Sequence, residues 1–212
     1  MPAAAPLTAD GYCAILLAAG HARRFGADKL LQPLDGQPLA CVSAARLQQV
    51  LPTIAVVRPT QRELIDRFAA QGVPCVILPS SAAASEEGMG ASIAAGVAAR
   101  ADAKGWLIAL ADMPFIQPAT IARVLAALRN GAAIAAPLCQ GQRGHPVGFA
   151  AAFGDALRGL QGDVGARDLL RRQAANITPV MCDDSGIFAD IDTPDDLSAA
   201  MVTVAQSATA AP

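Results

Sequence analysis

Short apolar runs alternate with helix-patterned stretches through the first two thirds of the chain. This rhythm restricts the fold more than any other feature. The run YCAILLAA at 12–19 is apolar almost throughout, as expected of a strand covered on both faces. A longer stretch at 38–50 repeats Leu39, Val42, Leu47 and Val50 at near-helical spacing, and TIAVVR at 53–58 reads again as strand. Within 60–72, Thr60 and Glu63 have capping-box spacing, Leu64, Ile65 and Phe68 mark an apolar face, and Gly72 is placed to stop a helix. A strand at 73–78, a glycine-rich loop, a helix at 91–100, a strand at 105–111, a helix at 118–129 and a strand at 133–137 follow. Strand–helix alternation of this kind predicts an α/β fold: a mostly parallel sheet with helices on both faces.

After residue 138 the rhythm changes. CQGQRGHPVGF at 139–149 reads as a turn leading into a candidate antiparallel strand; DALRGL and ARDLLRRQA read as helical, and NITPVMC as a late strand. A last helix starts in DTPDDLSAAM, with Thr193 as cap, Pro194 at the first helical position and Asp195 and Asp196 in the first turn. With 212 residues, 53% of them hydrophobic, the chain can bury one core, so a single domain over 1–212 is expected. Its ordered core would run from about 11 to 203, with small polar ends that fray.

Bulk properties exclude several function classes. A formal net charge of -2 argues against coating nucleic acid, which needs a broad basic face, but leaves room for a small anion held by a local cation cluster. The five cysteines form no CxxC pair, and their odd count in apolar surroundings suits reduced thiols in a cytoplasm. The first residues lack a basic and apolar leader pattern, and no apolar run approaches the roughly 20 residues that span a bilayer. Neither nucleic acid nor a membrane is therefore an expected partner.

Six stretches carry polar groups that could serve a ligand, which an α/β sheet binds at the carboxyl ends of its strands. In LLAAGHARRFGADK at 16–29, Gly20 permits a sharp turn, and Arg23, Arg24 and Lys29 bring positive charge. Ala22 breaks a GxGxxG pattern; five residues between Gly20 and Gly26, and Leu30 after Lys29, break a Walker A loop. The stretch is an anion cradle or an ordinary polar loop. Asp112 in LADMP is placed to hold Mg²⁺, or to cap a turn. Asp190 and Asp192 share parity, so on an extended segment both point to one face, where a cation between them would relieve their repulsion. Gly88 and Gly90 flank Met89 ahead of a helix, with Ser92 in or beside its first turn. His145 lies between Gly144 and Pro146, and GDVGAR at 162–167 offers Asp163 and Arg167 as an anion partner pair or a helix start.

In this order the stretches LAAGHARRFGADK, GMGASI, LADMP, GQRGHPVGF, GDVGAR and DIDTPDD resemble the MobA-like nucleotidyltransferase family, from about residue 12 to 200. The first loop matches the signature LAxGxxxRxG…K at Leu17, Ala18, Gly20, Arg24, Gly26 and Lys29. The pair RGHPVGF and GDVGAR is most similar to the molybdenum cofactor cytidylyltransferases. That resemblance implies a Rossmann-like three-layer α/β sandwich, with CMP passed from CTP to the phosphate of molybdenum-loaded molybdopterin and pyrophosphate leaving. It implies Arg24, Lys29 and Asp112 as catalytic residues. Leu17, Ala18, Ala19, Gly20, Gly88, Met89 and Ser92 join them around the nucleotide. Arg143, His145, Asp163 and Arg167 would face the acceptor. Mg²⁺ would sit on Asp112 with Asp190 or Asp192, the former preferred as nearer the strand end.

The guanylyl branch carries LAGG in its first loop. Here Ala19 stands at the last glycine of that motif, in a loop that lies against the base in the family, and this favours cytosine. In-line attack by a phosphate oxygen that is already anionic needs positioning and charge neutralisation more than a base, which suits a chain with no Ser–His or Cys–His arrangement. Alternatives are another NTP such as GTP, another phosphorylated acceptor, or a non-catalytic chaperone that carries molybdenum cofactor. A molybdoenzyme client is a further expected partner.

Overall fold

The computed structural model describes residues 11–20, 29–79, 88–162 and 165–199. Among these, a sheet of eight strands forms the middle layer. Its path runs β10 (Ile177–Met181), β7 (Ile134–Cys139), β9 (Val147–Ala150), β6 (Gly105–Leu110), β1 (Tyr12–Leu17), β4 (Thr53–Val57), β5 (Cys75–Ile77). The two-residue β8 (Gln142–Arg143) pairs with β7. All pairings are parallel except those of β9 with β6 and β7 and of β8 with β7. The fold is thus α/β with a mostly parallel sheet and late antiparallel strands, as the alternation predicts.

Alternate residues of β1 show the three layers. Ala14, Leu16 and Ala18 join a core with Leu39, Leu47, Leu64, Phe68, Ile121 and Leu125, from helices α1 (Leu39–Gln48), α2 (Arg62–Ala70) and α4 (Pro118–Arg129). Cys13, Ile15, Leu17 and Ala19 point the other way, to Ile93, Val97, Leu157 and Leu169 of α3 (Met89–Ala99), α5 (Gly154–Arg158) and α6 (Arg167–Arg172). Every residue of β4 is buried, because a parallel strand inside a doubly covered sheet has no wet face.

Local details depart from expectation in three places. The helix expected from Thr60 begins at Arg62 with Gln61 as its cap position, and no side chain caps it. The Thr60–Glu63 capping box does not form, because the Gln61 side chain bonds outward to Ala18 and Arg58 instead. Helix α3 starts two residues earlier than expected, at Met89, so Ser92 lies inside its first turn. A small hairpin of β2 (Pro33–Leu34) and β3 (Gln37–Pro38) precedes α1. The last helix does start at 194, with Thr193 and Asp196 as a reciprocal cap. The Thr193 hydroxyl accepts from the Asp196 N–H at 3.2 Å, and the Asp196 carboxylate accepts from the Thr193 N–H at 2.7 Å.

Candidate active site

The carboxyl ends of β1 and β6 lie side by side, since Leu17 pairs with Leu110. Two hydrogen bonds fix the chain beyond β6. The Ser43 hydroxyl donates to the Ala111 carbonyl at 2.8 Å, and the Ile191 N–H donates to the Asp112 carbonyl at 3.0 Å. Asp112 is therefore held by α1 from one side and by the C-terminal segment from the other.

Lys29 opens a short 3-10 turn, Lys29–Leu31, whose Leu30 is buried in the core. Its ammonium reaches Asp112 Oδ2 and Asp192 Oδ1, each at 2.9 Å. Lys29 is only 8% exposed. Burial works against its charge, but Asp112 and Asp192 outweigh that effect and hold its pKa above the ordinary lysine value.

Asp190 makes no ion pair with Lys29, unlike Asp192. The chain turns at Ala189 (φ -85°, ψ 83°), and the Asp190 N–H donates to the Phe188 carbonyl at 3.1 Å. This turn lies just before the pair; Asp192 pairs with Lys29, while the charge of Asp190 reaches the His145 ring. Asp190 is exposed, and Asp192 turns toward Lys29.

The segment from 184 to 192 is tied down by Asp184, which is 3% exposed. Its carboxylate accepts from the Thr120 hydroxyl at 2.7 Å, the Gln117 N–H at 2.9 Å and the Gly186 N–H at 3.0 Å. Sequence reasoning missed Asp184, and it missed Gln61, whose amide donates to the Ala18 carbonyl at 3.0 Å and accepts from the Arg58 N–H at 2.8 Å. Gln61 thereby fixes the first turn of the Ala18–Gly20 loop.

A cavity of about 740 Å³ reaches Leu17 and Leu110 at the ends of β1 and β6; Lys29, Asp112 and Asp192 themselves do not line it. Its floor includes Leu17, Ile108, Leu110 and Phe149, and Arg143, Arg167 and Arg171 contribute positive charge. The structure brings together Arg143, His145 and Arg167, three residues that the sequence put on the acceptor side; the fourth, Asp163, lies outside the described residues. Met89, expected near the nucleotide, lines the same cavity. Gly88 precedes it with φ 109°, and Ser92 donates its hydroxyl to the Gly88 carbonyl at 2.9 Å. Arg24, Arg23 and Gly26 also lie outside the described residues.

His145 links the two regions. Its N–H donates to the Ile187 carbonyl at 3.2 Å, and its ring feels the charges of Asp112 and Asp190. Burial depresses the imidazole pKa and outweighs both the hydrogen bond to the Ile108 backbone and those carboxylates, so the ring is neutral near pH 7. Its Nδ1 is buried without a hydrogen-bond partner.

Among the described residues, no cluster of three or more His, Cys, Asp or Glu side chains could enclose a metal ion by itself. The donor chemistry nevertheless fits Mg²⁺. Asp112 and Asp192 place one oxygen each on a common cationic centre, and Mg²⁺ is commonly held by one or two carboxylates with substrate phosphates supplying the rest. No helix in the described residues is long and apolar enough to cross a membrane.

Comparison with known proteins places the fold and the family. The chain is 31% identical over 193 residues to the purine catabolism protein PucB of Bacillus subtilis (strain 168), across 86% of this chain and 92% of that one. The crystal structure of Rv0371c from Mycobacterium tuberculosis H37Rv superposes with a TM-score of 0.78 at 23% identity, covering 92% of this chain and 99% of that one. A manganese complex of Rv0371c superposes at 0.73, with 22% identity over 91% and 98% of the two chains. Molybdopterin-guanine dinucleotide biosynthesis protein A from Archaeoglobus fulgidus has the same fold, with a TM-score of 0.67 at 18% identity over 92% of this chain and 99% of that one. Residues 14–177 match the MobA-like NTP transferase domain, and the chain belongs to that family of nucleotidyltransferases.

Proposed function

We propose that this chain is an Mg²⁺-dependent cytidylyltransferase that transfers CMP from CTP to the phosphate of molybdenum-loaded molybdopterin, within a single domain. The observation that carries the reading is the convergence of Lys29, Asp112 and Asp192 next to a cavity with an apolar floor and arginines on its wall. A flat heterocycle carrying a phosphate matches that lining: Leu110 and Phe149 for the ring, and Arg143 and Arg167 for the anion.

In the reaction, an acceptor phosphate oxygen forms a bond to the α-phosphorus of CTP. The bond from that phosphorus to the bridging oxygen breaks, and pyrophosphate leaves with the electron pair. No proton need move, because the attacking oxygen is already an anion. Asp112 and Asp192 would hold Mg²⁺, which when bound neutralises phosphate charge. Lys29 and Arg24 would steady the triphosphate and the leaving group. The Ala18–Gly20 loop, fixed by Gln61, would lie against the base, with Gly88, Met89 and Ser92 closing the nucleotide side. His145, which lines the cavity, would face the acceptor, and Asp163 would help orient it.

The manganese bound by Rv0371c supports a divalent ion in this fold. Ala19 is the argument for cytosine over guanine. The test is pyrophosphate release with each of the four NTPs and the pterin acceptor. CTP should turn over fastest, and equal turnover with GTP would remove the cytosine assignment. Release with a sugar phosphate in place of the pterin would move the acceptor to another class.

A further inference from the structure

Lys29 does more in this structure than wait for phosphate. Its ammonium takes one oxygen from each of the two carboxylates, at 2.9 Å, in a position that is almost closed to solvent. A divalent ion such as Mg²⁺ binds carboxylate oxygens at roughly 2.0–2.1 Å. It cannot share the same two oxygens with an ammonium lying between them. Metal and Lys29 are therefore mutually exclusive partners of Asp112 Oδ2 and Asp192 Oδ1.

We infer that Lys29 is a resident counter-cation that keeps the Asp112–Asp192 pair closed to a divalent ion until a nucleotide triphosphate draws the ammonium away. The inference rests on the proposed reading of these two aspartates as metal holders. The backbone at Lys29 is anchored, because Leu30 beside it is buried in the core. The four-carbon stem is flexible, so the side chain can swing while the backbone stays. A displaced ammonium needs a new anion, because it leaves both carboxylates and an unpaired charge that stays partly buried is costly. A triphosphate supplies that anion and brings its own oxygens to the metal. Each ligand then removes an obstacle to the other, which is positive coupling between metal and nucleotide. Such coupling would keep the site from being loaded by metal alone.

The test needs no turnover. Lys29 and Lys104 are the two lysines of the chain, and Lys104 is exposed, so it serves as an internal reference for acylation. In wild-type protein without metal or nucleotide, Lys29 should label far more slowly than Lys104. Saturating Mn²⁺ should raise its labelling, and CTP added with Mn²⁺ should protect it again. In nucleotide-free titrations followed by Mn²⁺ paramagnetic resonance, K29Q should bind Mn²⁺ about tenfold more tightly than wild type, within the usual span of coupling effects. K29R, which keeps the charge, should stay near wild type. Equal or weaker Mn²⁺ binding by K29Q, or Lys29 labelling unmoved by saturating Mn²⁺, overturns the inference and leaves the transferase reading standing. If D112N leaves the Mn²⁺ affinity of K29Q unchanged, the metal is not on this pair, and the metal reading of the proposed function fails with the inference.

Discussion

Gly90 in the first turn of α3 lies directly against the backbone of Gln161: a Cβ built on Gly90 would sit 2.7 Å from the Gln161 carbonyl oxygen. Just beyond Gln161 lies the 162–167 stretch, and Met89 and Arg167 line the same cavity. The two loops that the sequence assigns to different substrates are thus one packed unit. G90A must push backbone against backbone, where no flexible side chain can yield. It should cost about 1–3 kcal/mol of stability, the usual range for overpacking, measured by urea unfolding. It should also raise KM for both substrates together; a rise for one alone would show that the loops act independently.

Asp112 carries a charge that asparagine removes while its shape is kept. D112N should lower nucleotide transfer by about a hundredfold or more, the scale seen when a preorganised charge is lost from a transfer site. Binding of the pterin acceptor should be nearly unchanged. Transfer at the normal rate would remove Asp112 from the metal site and favour a carrier without catalysis.

Asp184 holds the segment that delivers Asp192. D184A leaves the Gln117 and Gly186 N–H groups and the Thr120 hydroxyl without their acceptor. Loss of this buried network should cost about 3 kcal/mol, readable as a lower denaturation midpoint. Activity should fall further than the folded fraction alone accounts for, because the 184–192 tether also carries the Ile191 bond to Asp112.

His145 gives the protein a pH response of known sign. Its folded pKa lies below the unfolded value because burial disfavours the charged ring. The unfolded chain therefore takes up a proton that the folded one refuses. The neutral ring's contribution is fully present above the unfolded value, about 6.5, and is lost as pH falls toward the folded one. Unfolding titrations at pH 7.5 and pH 5.5 should show a loss on acidification in wild type that is smaller in H145Q. Equal losses would mean that other groups set the response.

Ala19 follows the first strand and is buried, in the same core cluster as Leu17 and Ile93. A19G should raise turnover with GTP relative to CTP by about tenfold, the worth of roughly one methyl group in a pocket. An unchanged ratio would place base selection elsewhere.

Much of this was legible in the sequence, and the reasons differ by residue. Helix α4 was readable at 118–129 because Pro118 fixes its first turn and its apolar positions repeat on one face. The antiparallel β9 was readable from the break in rhythm and the glycine–proline turn before it. The β2–β3 hairpin was missed although Asp35-Gly36 between two short runs is a two-residue turn signal; both residues adopt positive φ. Arg171 was also within reach, four residues after Arg167 and so on the same helix face. Gln61 and Asp184 were not. Each acts by bonding backbone groups distant in sequence, Ala18 for one and Gln117 with Thr120 for the other, and such pairing leaves no periodic trace. Asp192 could not be separated from Asp190 by parity, because parity puts both on one face and does not say which of them meets Lys29, 163 positions earlier in the chain.

The reversed direction of β9 has a consequence for how such a site can diversify. The strands that run opposite to it deliver residues to the working edge as the chain leaves the sheet, as β6 delivers Asp112. β9 runs the other way, so its working-edge residues, Arg143 through Pro146, arrive as the chain enters. One half of the site is written in exits and the other in an entrance. The tip of the segment between β7 and β9, short of the His145 bond to Ile187, can therefore be lengthened, shortened or recoded while the turns that carry Gly20 and Asp112 keep their contacts. A lineage could exchange what the cavity accepts while inheriting the charged half intact.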